Sequence, residues 1–277
     1  MFIKKNKKFI IKKKKGQNFL NNLYIIQKII KLIKIKNNDI LVEIGSGFGI
    51  ITKLIILNVY KIILIEIDIE LIFFLKNFLQ FKKKKILIYK KNILKINLSN
   101  IAKKEKKLLI FFGNIPYNIS TDLIFYIIKY LYYIKYIYIV LQEEFSNKII
   151  YIVNKKKKGR LNIIIKYYLN IQPLFKISKN AFIPKPKIES IFLILKPCKK
   201  KYFVNNINNL KLIVKESFKQ CRKKIKNNLK NIFTIKQLEL IQINPNYRAE
   251  NILLSEFCIM SNLITINNFY KNKYFKI

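Results

Sequence analysis

Asn114-Ile115-Pro116-Tyr117 puts a side-chain amide, a carbonyl followed by proline, and a phenol ring in four consecutive positions. The Asn114 side-chain oxygen and the Ile115 carbonyl can together accept both hydrogens of an exocyclic amine. Held in that way, the nitrogen lone pair leaves conjugation and can attack an electrophilic carbon. Tyr117 adds a ring on which a planar base can stack. No general base is needed before attack, which suits a chain with no His. The same absence removes the Ser-His-Asp triad and His-ligated zinc. The competing reading is a proline turn capping the next helix, which accounts for Asn114 and Pro116 but not for Tyr117.

The second concentration of chemistry is Val42-Glu43-Ile44-Gly45-Ser46-Gly47-Phe48-Gly49. The chain has six glycines, and Gly45, Gly47 and Gly49 fall within five positions. Such clustering points to backbone conformations closed to other residues, and to close approach of a ligand to the main chain. The spacing is G-x-G-x-G rather than the G-x-G-x-x-G of dinucleotide sites. Glu66 follows Gly45 by twenty-one positions, where an acid can accept from both hydroxyls of a ribose. Together these features favour an adenosine-containing cofactor without a pyrophosphate, S-adenosylmethionine. Its methyl would then be the electrophile for an amine held at Asn114. A tight turn beside a surface acid, or an NAD site, are the other readings. No metal is expected, because Cys198, Cys221 and Cys258 lie far apart without a CxxC pair.

Those residues need a scaffold, and the apolar runs supply one. Residues 39–44, 61–67, 86–89, 108–112 and 136–141 read as strands, with room between them for crossover helices, hence a mostly parallel sheet. Two further strands are expected at 170–177 and 189–195, joined by the loop Ala181-Phe182-Ile183-Pro184-Lys185-Pro186-Lys187. Phe182 is a candidate for the second face of the base held by Tyr117, or else a hydrophobic plug. Residues 160–169 fit a strand or a helix. A basic linker follows at 196–201, and beyond it 204–233 and 255–262 read as helices, with Ser255 as an N-cap. A catalytic domain over 1–196 and a small all-α domain over 197–277 are thus expected.

The formal net charge is +42, from 56 Lys+Arg against 14 Asp+Glu, and polyanions such as RNA are the natural partners of such a chain. Only three of the cations are arginine, Arg160, Arg222 and Arg248. Lys, Ile, Asn, Phe and Tyr, all abundant here, share A/T-rich codons, so part of the charge reflects codon bias rather than binding. The basic arm Lys12-Lys13-Lys14-Lys15 and the helical-looking stretch with Arg222, Lys223 and Lys224 are the candidate phosphate contacts, beside Arg248. The first fifteen residues lack the run of roughly 7–15 apolar residues that a signal peptide needs. Lys129 and Lys135 interrupt the most apolar stretch, so no membrane span is expected. A cytoplasmic monomer is the simplest expectation.

Taken together, the chain resembles the KsgA-type rRNA adenine dimethyltransferases of the small ribosomal subunit. The resemblance rests on Lys15-Gly16-Gln17-Asn18-Phe19-Leu20, the glycine turn, Glu66, Asn114 to Tyr117 and Leu141-Gln142-Glu143-Glu144. It continues through Gly159-Arg160-Leu161, Ala181 to Lys187, Arg222-Lys223-Lys224 and Arg248-Ala249-Glu250-Asn251. It implies an α/β fold, a class I methyltransferase Rossmann-like domain with a mostly parallel seven-stranded sheet and a small all-α C-terminal domain, and a helix at 160–168. It also implies that Asn18, Leu20, Gly45, Gly47, Glu66, Asn92 and Asn114 hold S-adenosylmethionine. The implied reaction is dimethylation of two adjacent adenosines near the 3′ end of small-subunit (16S) rRNA, late in assembly, on the rRNA or the pre-small subunit.

One position departs from the family pattern. Asn92 stands where an Asp usually accepts from the cofactor's adenine amine. Its amide oxygen is expected to accept that bond without the charge-assisted part, weakening cofactor binding by about 1 kcal/mol. Two other functions stay open: a large-subunit rRNA adenine methyltransferase of the macrolide-resistance type, which shares the glycine turn and Asn114 to Tyr117, and a catalytically weakened rRNA-binding assembly factor.

Overall fold

The computed structural model describes residues 17–78, 85–150, 159–198 and 202–274. Its strands are β1 (Phe19–Leu20), β2 (Ile40–Ile44), β3 (Lys61–Glu66), β4 (Ile86–Lys90), β5 (Leu109–Asn114), β6 (Ile134–Gln142), β7 (Leu169–Ile177), β8 (Phe182–Ile183) and β9 (Ser190–Pro197). Seven of them form one sheet in the order β4-β3-β2-β5-β6-β9-β7. Pairing is parallel from β4 through β6 and antiparallel between β6 and β9. All five residues of β2 are buried, as expected for a strand covered on both faces. This is the mostly parallel seven-stranded α/β architecture implied by the resemblance.

Register matters for function. Ile44 pairs with Ile65 on one side and Gly113 on the other, and Glu66 pairs with Lys90. The carboxyl ends of β4, β3, β2 and β5 therefore form one row. The chain leaves β2 outward to β3 and β4, then returns to its other flank at β5. Such a reversal opens a crevice at the strand ends, where α/β sheets take ligands.

The helices are α1 (Leu23–Leu32), α2 (Ile50–Ile55), α3 (Ile69–Phe78), α4 (Leu98–Glu105), α5 (Ser120–Ile128), α6 (Glu143–Ile149), α7 (Arg160–Tyr168), α8 (Ile207–Ser217), α9 (Ile225–Asn228), α10 (Ile235–Leu240) and α11 (Leu254–Tyr274). Asparagine starts several of them. Asn22 accepts from Ile25 N before α1, and Asn97 from Ser99 N and Asn100 N before α4, satisfying amides the first turn leaves free. A capping box of Thr234 and Gln237 opens α10. No helix among the described residues is long and apolar enough to cross a membrane.

The chain divides into two compact units, residues 1–146 with 171–197, and 147–170 with 198–277. The crossing near 197 lies beside the expected linker. The earlier segment 147–170 joins the second unit because one side of α7 is apolar: Ile163, Ile164 and Tyr167 share a core cluster with Leu210, Ile213, Val214, Phe257 and Met260. Residues 160–168 are thus helical. In the second unit, the helix expected over 204–233 is instead broken at Phe218. Asn228 Nδ2 donates to the carbonyls of Ser217 and Gln220, at 2.6 and 3.1 Å, satisfying acceptors that the end of α8 leaves open. Arg222 and Lys223 accordingly sit on a turn rather than a helix. Ser255 is likewise not an N-cap: it lies within α11, and the Glu256 carboxylate accepts from Leu253 N instead.

Candidate active site at the strand ends

A cavity of about 360 Å³ opens at the row of strand ends, a size suited to a small-molecule ligand. It is lined from the N-terminal segment by Gln17 to Leu20 and from the glycine turn by Glu43 to Phe48. Glu66, Asn92 and Ile93 complete one side, and Asn114 to Pro116 the other. The ring of Tyr117 lies outside the described residues; the glycine turn, Glu66, Asn92 and Asn114 to Pro116 converge here from separate elements.

The glycine turn is built as its spacing implies. Gly45, Gly47 and Gly49 have φ of 67°, 54° and 69°, a region costly for residues with a Cβ. Gly49 in this conformation starts α2. At Gly47 space is short as well: a Cβ would stand 2.9 Å from the Phe19 ring. That ring continues into an aromatic row, 4.9 Å from Phe48, which stands 5.3 Å from Phe74. β1 is fastened from its other side by antiparallel pairing with β8, Leu20 opposite Phe182.

The acids are more engaged than their spacing suggests. Glu66 is 6% exposed; its Oε1 accepts from Ile67 N and Asp68 N, and its Oε2 from Gly47 N at 3.3 Å. Of roughly four lone-pair sites on a carboxylate, backbone amides take three. A ribose would therefore meet Glu66 chiefly through Oε2, rather than with both oxygens free as expected. Burial raises the Glu66 carboxyl above its ordinary 4.5, against the pull of these three amides. Glu43 is 3% exposed and accepts from the Thr52 hydroxyl. Burial pushes it up to about 7, with a smaller contribution from the neighbouring Glu66 charge. Asp68 accepts from Gln17 Nε2 at 3.0 Å and from Glu70 N at 3.2 Å.

Across the cavity, Asn114 ends β5. Its Nδ2 donates to the Asn18 carbonyl at 2.6 Å. Because a carbonyl only accepts, that bond decides the orientation of the amide and leaves Oδ1 as the available acceptor. The Ile115 carbonyl likewise meets no donor among the described residues, while Ile115 N donates to Val140 O at 3.2 Å. Pro116 O accepts from Ile119 N, opening the 3-10 turn at Tyr117. Two acceptors next to one another, at the reactive end of the cavity, are what capture of a primary amine needs.

Two expectations change. Phe182 is 3% exposed and belongs to the apolar core with Leu20 and Ala181. It does not line the cavity, so in this conformation it is the plug rather than the clamp. Asn92 lines the cavity, but its Oδ1 accepts from Leu94 N at 2.9 Å and caps the 3-10 turn Ile93–Lys95. The oxygen expected to receive the adenine amine thus already accepts one bond and keeps one lone pair. Lys12 to Lys15 lie outside the described residues. Contributors that sequence reasoning left without a role are Gln17, Phe19, Glu43 and Phe48. Only Glu43, an acid directly before the glycine turn, carried a local signal; the others become visible through contacts with Asp68, Gly47 and Phe74.

The second unit gathers its own basic group. Lys224 and Arg248 form an isolated antiparallel bridge, and Ile225 N donates to Tyr247 O at 2.6 Å. Arg222, Lys223, Lys224 and Arg248 are all exposed, and two stretches distant in sequence meet in one cationic surface.

Comparison with known proteins identifies the family and the fold. The family model for Ribosomal RNA adenine dimethylase matches residues 8–265. Ribosomal RNA small subunit methyltransferase A of Buchnera aphidicola subsp. Acyrthosiphon pisum is 40% identical over 259 residues, 93% of this chain and 94% of that one. The protein of the same name from Klebsiella pneumoniae is 34% identical over 259 residues, with the same two coverages. The crystal structure of a dimethyladenosine transferase from Plasmodium falciparum superposes with a TM-score of 0.76 at 25% identity, covering 92% of this chain and 98% of that one. The 23S rRNA methyltransferase ErmE superposes at 0.72 with 17% identity, covering 89% and 99%, a likeness of fold alone.

Proposed function

The chain belongs to the ribosomal RNA adenine dimethylase family, and from that premise we propose that it dimethylates two adjacent adenosines near the 3′ end of small-subunit rRNA, late in assembly of the subunit. Adenine dimethylation with S-adenosylmethionine is the family's reaction. Capture of an adenine amine is supported by one observation above all, the Asn114 amide pinned on the Asn18 carbonyl with Oδ1 and the Ile115 carbonyl left as acceptors.

The residues present fit the cofactor. Three left-handed glycines allow close approach, Glu66 keeps acceptor capacity on Oε2, and the cavity has the volume for it. Gly45 and Gly47 would lie along it, Glu66 would take its ribose, Asn18 and Leu20 would flank it, and Asn92 would stand at its base. When bound, S-adenosylmethionine supplies an electrophilic methyl on a sulfonium.

The chain supplies position. Asn114 Oδ1 and the Ile115 carbonyl each accept one hydrogen of the target amine, aiming the nitrogen lone pair along the cavity. Pro116 fixes the turn that holds the second acceptor, and Tyr117 is the ring we assign to the face of the base. An adenine must leave its stack to reach this place. The remainder of the rate comes from holding the reactants in line. Arg222, Lys223, Lys224 and Arg248 are assigned to rRNA phosphates, a role the exposed cluster supports.

The test is methylation with labelled S-adenosylmethionine of unmethylated small and large subunits, followed by mapping. Label on two adjacent adenosines of the small subunit is expected. Label on the large subunit would identify the macrolide-resistance reaction instead, and no label at all would identify an assembly factor.

A further inference from the structure

We infer that Asn92 presents a hydrogen-bond donor to the edge of the cofactor's base, so that at this contact the site does not select a 6-amino purine over a 6-oxo purine. The inference rests on the cofactor reading above and adds a specificity determinant to it. Asn114 ends β5, the glycine turn follows β2, Glu66 ends β3, and Asn92 stands two residues beyond the end of β4. These strands are neighbours in that order, with Glu66 in register with Lys90. A ligand laid along the row, with its reactive end at Asn114 and its ribose at Glu66, brings its base to Asn92 and Ile93. Both residues line the cavity.

At that place the atoms of the Asn92 amide are not interchangeable. Leu94 N is a donor, and Oδ1 accepts from it at 2.9 Å while capping the 3-10 turn. A flipped amide would set two donors against each other, so the turn fixes the side chain. Oδ1 keeps one lone pair beyond that bond, and Nδ2 is the polar atom of the side chain that meets no acceptor among the described residues. An aspartate in the same pose would cap the turn with one oxygen and offer the other as an acceptor. The single atom by which Asn differs from Asp is this Nδ2. A donor there matches the unprotonated N1 of adenine or the 6-oxo group of a 6-oxo purine, so that either base finds one acceptor for Nδ2 and neither is favoured by it.

Binding of two uncharged-sulfur nucleosides reads this directly. Dissociation constants of S-adenosyl-L-homocysteine and S-inosyl-L-homocysteine are measured by equilibrium dialysis for the full chain and for Asn92→Asp, whose carboxylate can still cap the turn. In the native chain the two constants should agree within about threefold, and in Asn92→Asp the adenosyl compound should win by about tenfold or more, as expected for gain of a charge-assisted bond. A native chain that already prefers the adenosyl compound tenfold overturns the inference, without recourse to the variant. So does a ratio that Asn92→Asp leaves unchanged. If S-adenosyl-L-homocysteine binds and only the ratio disagrees, the role of Asn92 falls and the cofactor reading stands. If neither nucleoside binds the native chain, both fall together.

Discussion

The Asn114 side-chain amide donates to the Asn18 main-chain carbonyl at 2.6 Å, tying the end of β5 to a segment 96 residues earlier. The bond gives the amide one orientation and so decides which of its atoms meets a substrate. It also ties the N-terminal segment to the proposed amine site: Gln17 is bonded to Asp68, and Phe19 packs over Gly47 and Phe48. A disturbance of residues 17–20 should therefore be felt at the amine site.

Gly47→Ala is the sharpest test of the turn. Its φ of 54° and the Phe19 ring 2.9 Å from a built Cβ act in the same direction. Left-handed strain alone is on the order of 1–2 kcal/mol, and displacement of Phe19 adds to it. We expect the unfolding free energy from urea titration to fall by at least that amount, together with weakened binding of S-adenosyl-L-homocysteine. A variant as stable as the native chain, binding equally well, would mean that the turn tolerates a side chain.

Glu43 gives the protein a pH signature. Its carboxyl is raised from 4.5 to about 7 in the folded state. Between those values the folded chain binds more protons than the unfolded one, so stability falls as pH rises through this window and changes no further above it. The contribution is about 3 kcal/mol by the usual linkage conversion. The chain has no His, so few other side chains titrate there. Glu43→Gln, still able to accept from Thr52, should show a flatter profile of unfolding free energy from pH 4.5 to 8, and its advantage over the native chain should grow with pH. Parallel profiles would place the Glu43 pKa near its ordinary value.

The cationic surface of the second unit predicts a salt effect. Replacing Lys224 and Arg248 by Ala should weaken binding to small-subunit rRNA and lower the slope of log affinity against log salt by about 0.7–0.9 for each phosphate no longer neutralised. Binding of S-adenosyl-L-homocysteine should not change. An unaltered slope would mark these cations as solvated surface, the outcome that codon-driven lysine excess would produce.

Much of this arrangement is legible in the sequence, for physical reasons that differ from place to place. The strands of the sheet stand out because a doubly covered strand such as β3 is a continuous apolar run between polar residues, here Lys61 and Glu66. The glycine turn stands out because glycine is scarce in this chain, so three in five positions signal backbone need. Features decided by distant partners are not visible there. The break after Ser217 depends on Asn228 reaching back to two carbonyls, and residues 218–233 carry no proline or glycine to announce it. The membership of α7 in the second unit depends on which core receives Ile163 and Tyr167. Phe182 in a proline-rich loop is as able to stack on a base as to fill the core, and the pairing of β8 with β1 decides for the core. Asn92 lines the cavity, yet its Oδ1 already accepts from Leu94 N, a bond set by the local turn that the residue type alone does not announce.

The central claim is that Asn114 orients the target amine, and methyl transfer by Asn114→Ala tests it most directly. Single-turnover transfer to unmethylated small subunits should be measured beside the dissociation constant of S-adenosyl-L-homocysteine. Loss of orientation should lower the transfer rate by at least about a hundredfold, with a clearly smaller loss of nucleoside affinity. Transfer at the native rate would contradict the claim.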